Sequence, residues 1–104
     1  MSWFLLILSG VLEAVWATAL GRSEGFTRPV PSVVFAVALV ASMIGLALAV
    51  RDLPVGTAYA VWVGVGAVLT VLVAVVTGAE ALTLAKTACL LLIVAGAVGL
   101  KALH

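Results

Sequence analysis

The chain has 104 residues, 66% of them Ala, Val, Ile, Leu, Met, Phe, Trp, Tyr or Cys and only 9% charged, against about 45–50% apolar and about 25% charged in an ordinary soluble domain. So few charges cannot cover a small globule, which excludes a water-soluble domain and leaves a membrane protein with room for about four helical spans of about 20 residues. A formal net charge of +1 makes no basic footprint for nucleic acid, and the single cysteine, Cys89, excludes an intrachain disulfide framework.

The apolar runs predict spans at 3–20, 32–50, 55–77 and 85–103, one all-α domain of four transmembrane helices over residues 1–104. The first run lacks a basic leader, carries Glu13 and precedes three more runs, so it reads as a span and not as a cleavable signal peptide. Glu13 lies about ten residues into it, about 15 Å deep at 1.5 Å per residue and near the bilayer centre. A carboxylate there costs about 2.5–3.5 kcal/mol on insertion scales. Unless a cation or a donor network compensates, it takes up a proton, so its charge depends on whether a cation is bound. That is the requirement for an exchange site; the plainer alternative is a neutral glutamic acid hydrogen-bonded between helices. Ser9, Gly10, Trp16 and Ala17 share its helix face at spacings of three and four. They combine small residues that permit close helix approach with an indole that can steer the carboxylate or face a cation.

The stretch Gly21-Arg22-Ser23-Glu24-Gly25-Phe26-Thr27-Arg28-Pro29-Val30-Pro31 reads as a solvent-exposed connection. Ser42, midway along the second span, is level with Glu13 and could orient it, or could simply bond its own i−4 carbonyl. Arg51-Asp52-Leu53-Pro54 reads as a tight turn with Pro54 opening the next helix. In the third span Tyr59 and Trp62 lie three apart and could line a cation pocket. Gly64 and Gly66 would loosen the helix beyond them as a bend, with close packing as the other explanation. The connection Gly78-Ala79-Glu80-Ala81-Leu82-Thr83 is short. In the fourth span, Ala85-x-x-x-Cys89 and Ala95-x-x-x-Gly99, with Gly96 between, suggest a helix-association face and a dimer contact. Lys101 reads as snorkelling to the head groups and Cys89 as a small buried apolar residue. No phosphate-cradling loop, metal-ligand cluster or nucleophile constellation appears, and the one histidine is His104. The sequence therefore predicts no catalytic residue, no metal and no enzyme.

With four spans, Arg51 and Lys101 fall on one side, and Arg22, Arg28 and Lys86 on the other. Two against three is too weak a bias to set orientation by the positive-inside rule. Insertion both ways would allow an antiparallel homodimer whose copies supply inverted repeats.

Three segments, Leu12-Glu13-Ala14-Val15-Trp16-Ala17, Ser23-Glu24-Gly25-Phe26-Thr27-Arg28 and Gly56-Thr57-Ala58-Tyr59-Ala60-Val61-Trp62 with Gly64-Val65-Gly66, resemble the small multidrug resistance family of four-helix transporters over essentially the whole chain. The resemblance implies a multi-pass protein of the bacterial inner membrane. It implies an antiparallel dual-topology homodimer that exchanges protons for a small organic cation at two central glutamates, and fourth helices that mediate dimerisation. Its energy source would be the proton gradient, with no cofactor. Trp16 one turn after Glu13, with Lys101 near the C-terminus, resembles the guanidinium exporter subtype. On that resemblance Glu13 binds guanidinium or protons, Trp16, Ser42 and Trp62 hold its carboxylate by hydrogen bonds, and Tyr59 and Gly10 belong to the pocket. Guanidinium is planar and presents paired N–H donors that match a carboxylate, while rings stack on it. Gly21, Val63 and Ala81 depart from the family pattern, and Val63 bears on pocket polarity. The alternatives are a polyspecific exporter of quaternary ammonium cations and a non-transport membrane subunit.

Overall fold

The computed structural model describes residues 2–103, so His104 lies outside the described residues. Its elements are α1 (Ser2–Arg22), α2 (Pro29–Ala49), α3 (Val55–Val76) and α4 (Leu84–Leu103), and no described residue is in a strand. Each helix is long and apolar enough to cross a membrane. Phe4, Val33, Val37, Leu92 and Val98 are each more than 60% exposed, as on helices whose outer faces meet lipid.

The α2 start differs from the sequence expectation. Pro29 and Pro31, assigned to the connection, lie inside the first turn of α2, with proline at the N1/N2 positions. Proline is favoured there because its fixed φ is already helical and its missing N–H would have had no partner. Pro54 instead stands one place before its helix, as the N-cap of α3 with an extended ψ of 136°.

Each turn is closed by its own backbone and side-chain bonds. After α1 the buried Ser23 donates its hydroxyl to the Leu20 carbonyl at 2.7 Å and accepts the Phe26 amide at 3.2 Å. Glu24, Gly25 and Phe26 then run through three consecutive positive φ values of 50°, 73° and 69°. For a bulky residue such as Phe26 this is a strained conformation. At the end of α3, Gly78 has φ 81°. Its amide bonds to Val75 O at 3.1 Å and the Ala79 amide to Ala74 O at 2.8 Å, the paired bonds of a Schellman cap. The start of α4 is capped by Thr83, whose Oγ1 accepts the Lys86 amide at 3.1 Å. Lys86 also pairs with Glu80 at 3.3 Å.

Close approach through small residues sets the packing. α1 lies against both α2 and α3, and α3 against α4, whereas the α4 backbone approaches neither α1 nor α2. A Cβ placed on Gly45 would lie 2.8 Å from Ser9 Cβ, and one on Gly10 would lie 2.8 Å from Val65 Cγ1. Glycine thus lets α2 and α3 each come close to α1. Leu6, Ala49, Leu53, Ala58, Val61 and Trp62 form the buried cluster where α1 meets the α2–α3 turn. At that end Ser2 donates to Asp52 at 2.8 Å. Lys101 does not simply run out to the head groups: its Nζ stands 5.6 Å from the centre of the Trp3 ring, joining the last turn of α4 to the first of α1.

The result is a slab of 41 × 34 × 17 Å. With the α4 backbone packed on α3 alone the chain is an open arrangement rather than a closed bundle, and α4, at its edge, contains no buried residue, so Cys89, expected to be buried, is exposed.

Candidate functional site

Glu13 sits at the middle of α1, with its carboxylate against the backbone of Gly66 on α3. A Cβ on Gly66 would overlap Glu13 Oε1 and come within 2.8 Å of its Cγ. Oε1 is buried and has no hydrogen-bond partner. Among the described residues no side chain donates to this carboxylate. Trp16, one turn on, has a buried Nε1 that is likewise unpartnered, while its ring meets Phe35 of α2 edge-on at 6.0 Å and 78°. Phe35 in turn packs on Phe26 of the first connection at 5.5 Å.

Beside this pair runs a buried polar chain. Trp62, 4% exposed, donates Nε1–H to Ser42 Oγ at 3.2 Å. Ser42 Oγ donates to the Ser9 carbonyl at 2.7 Å, and Ser9 Oγ donates to Leu6 O at 2.8 Å. Ser42 therefore reaches across to α1 and does not fold back on its own helix. The acceptor matters, because in a regular α-helix the Ser9 carbonyl is also the acceptor of the Glu13 amide. Ser42 and Trp62 are tied to the turn of backbone that carries Glu13 and not to its carboxylate, which corrects the expected hydrogen bonds. The reason is a shortage of protons: the hydroxyl has one to give and the indole one, and both are spent inside the chain.

The remaining sequence candidates are dispersed. Tyr59 stacks obliquely on Trp62 at 5.8 Å and 38°, but is 56% exposed and lies outside the buried chain. Gly64 and Gly66, read as a bend or as close packing, lie within the unbroken α3, which favours packing. Gly64 faces α4, where an added Cβ would be 3.4 Å from Ile93 Cγ2, and Gly66 faces Glu13. Ala95 and Gly96 are exposed and Gly99 is half-buried, with nothing near a Cβ built on either glycine. Residues that the sequence reading passed over are Phe35, Gly45 and, as a network acceptor, Ser9. The signal for Gly45 was present, since it is a lone glycine in an apolar span. The partner that makes Phe35 matter is 19 residues away and has no local signature.

A slab of four apolar helices with one carboxylate half-sunk in its centre, backed by tryptophans and serines, defines a multi-pass membrane protein built around an ionisable intramembrane site. Comparison with known proteins agrees: the family described as Small Multidrug Resistance protein matches residues 1–93, and the chain belongs to that family. The family is one of membrane transporters, so the chain is a transporter and not an enzyme. It is 48% identical over 101 residues to the "Guanidinium exporter" of Yersinia pestis, covering 97% of each chain. Against the "Guanidinium exporter" of Escherichia coli (strain K12) the identity is 48%, covering 97% of this chain and 96% of the relative. The protein of that name from Citrobacter freundii is 46% identical, with the same coverage. Four spans and such relatives identify a multi-pass protein of the bacterial inner membrane.

Proposed function

We propose that the protein exports guanidinium in exchange for protons, with the Glu13 carboxylate as the shared binding site. The observation that carries this reading is the lone mid-membrane carboxylate with an unpartnered oxygen, one turn from a buried indole N–H that is also unpartnered. Bare acceptors inside a membrane are costly, and a planar cation with several N–H donors relieves that cost, as does a proton. The relatives named guanidinium exporters favour guanidinium among cations.

The working unit is an antiparallel homodimer of chains inserted in both orientations. Two features support it: the slab leaves α4 without a buried residue, and lysine and arginine differ by only one between the two sides, two against three. Ala95, Gly96 and Gly99 form the α4 contact, where small residues let two backbones approach. Two copies bring two Glu13 carboxylates to one cavity, and these titrate as a coupled pair. Tyr59, exposed on the single chain, and Trp62 complete the pocket. A cation stabilises the ionised pair and protons displace it. The subunits present the pair to one side of the membrane at a time, so inward proton movement drives outward cation movement. Beyond the proton gradient no cofactor is required.

The test is the current from purified protein in proteoliposomes on a solid-supported membrane. Guanidinium is expected to give current and a bulky tetraalkylammonium none, with Glu13→Gln silent. Current with both cations would replace the reading with a polyspecific exporter. Silence with both would replace it with a role that needs another subunit.

A further inference from the structure

We propose that Gly66 is a positioning residue for the Glu13 carboxylate: the side chain it lacks is the seat in which the carboxylate lies against α3. Three observations meet at this point. A Cβ on Gly66 would overlap Glu13 Oε1 and Cδ and stand 2.8 Å from its Cγ, so it could be accommodated only by displacing the carboxyl group. The neighbouring approach of α1 to α3 is already tight, since a Cβ on Gly10 would be 2.8 Å from Val65 Cγ1. The helices therefore cannot separate at Gly66 without opening that second contact. Finally, the Gly66 carbonyl accepts the Thr70 hydroxyl at 2.6 Å in addition to its helical amide.

With both lone pairs of that carbonyl engaged, the seat offers the carboxylate a carbon surface and no competing polar partner. The carboxylate is held there by shape, and its Oε1 stays unpaired. With Oε1 sealed against α3, the other carboxylate oxygen is the one left for a proton or an N–H donor of the cation. A helix bend at Gly66 would place no such demand on the Glu13 side chain. Fixed aim at the cavity is thus the function of the missing methyl group, and the role of the residue is steric. For its binding readout the inference rests on the guanidinium reading above.

The test is a double-mutant cycle on the purified full-length protein, with thermal unfolding and guanidinium affinity as separate readouts. Gly66→Ala is expected to lower the melting temperature when Glu13 is present. In the Glu13→Ala background the same substitution is expected to leave it unchanged or raise it, because the overlap is gone and alanine is the better helix former. Gly66→Ala alone is expected to raise the guanidinium Kd at least tenfold while the protein still elutes as the wild-type oligomer. An equal loss of melting temperature in both backgrounds overturns the seat, and a Kd within twofold of wild type overturns the positioning role. If Gly66→Ala alone fails to fold, recovery of a folded protein on adding Glu13→Ala supports the seat and failure to recover overturns it. Should the wild-type protein bind no guanidinium, the functional reading falls while the melting cycle still decides the geometry.

Discussion

Replacing Ser42 by alanine cuts the buried chain at its middle, and the structure says what each end then loses. The Ser9 carbonyl keeps its helical amide, so it loses only a second donor. Trp62 Nε1, in a side chain 4% exposed, loses its acceptor. A buried donor left unpaired costs about 1–3 kcal/mol. Side-chain hydrogen bonds between membrane helices average about 0.6 kcal/mol and reach about 1.7. The expected destabilisation is therefore about 1–2 kcal/mol. Trp62→Phe removes the donor instead and leaves no orphan, so in the Ser42→Ala background it should cost less than it does alone. The pair should be non-additive by at least about 0.5 kcal/mol. Reversible unfolding in mixed micelles with increasing SDS, followed by far-UV circular dichroism, measures all four corners of the cycle. Strict additivity, or a Ser42→Ala cost below about 0.3 kcal/mol, would refute the proposition that this chain braces the Glu13 turn of α1.

Other expectations follow from single contacts. Gly45→Ala drives a methyl group to 2.8 Å from Ser9 Cβ and should destabilise the protein by about 1–3 kcal/mol, with partial rescue by Ser9→Gly, read in the same unfolding assay. Lys101→Gln removes a cation over the Trp3 ring and should cost about 0.5–1 kcal/mol. The loss should be absent in a Trp3→Leu background. Phe35→Ala removes the ring that meets Trp16 in a T-shaped contact and should weaken guanidinium affinity severalfold with little effect on oligomeric state, as measured by calorimetry and by ultracentrifugation in detergent. Gly96→Leu meets open space in the single chain. It should leave the helical content intact while shifting the monomer–dimer equilibrium toward monomer by at least tenfold, and unchanged dimerisation would remove α4 from the interface.

What could be read from the residues and what could not divide along physical lines. Span number and the central place of Glu13 follow from hydropathy and helical rise, both local properties, and the four helices appear where the apolar runs are. Helix starts were less legible, because Pro29 and Pro31 terminate a helix in its interior but open one at its first turn, and composition alone does not separate the two cases. Polar candidates could be named from depth, as Ser42 was, but their partners could not. The sequence offers the hydroxyl two partners, the Glu13 carboxylate and its own i−4 carbonyl, and the packing of α2 on α1 selects neither but the Ser9 carbonyl. Glycine was the least legible residue. Gly64 and Gly66 are open on sequence to a bend or to close packing, and each stands at a close approach to a different neighbour. A missing side chain says that something comes near without saying what.

The central claim is that one carboxylate serves both the proton and the cation. Purified protein in liposomes with an acidic lumen and a neutral exterior should accumulate radiolabelled guanidinium against its gradient. Collapse of the pH difference should release it, and Glu13→Gln should abolish the accumulation while the protein still reconstitutes as a dimer. Accumulation by Glu13→Gln equal to wild type, or wild-type uptake indifferent to the pH difference, would contradict the account.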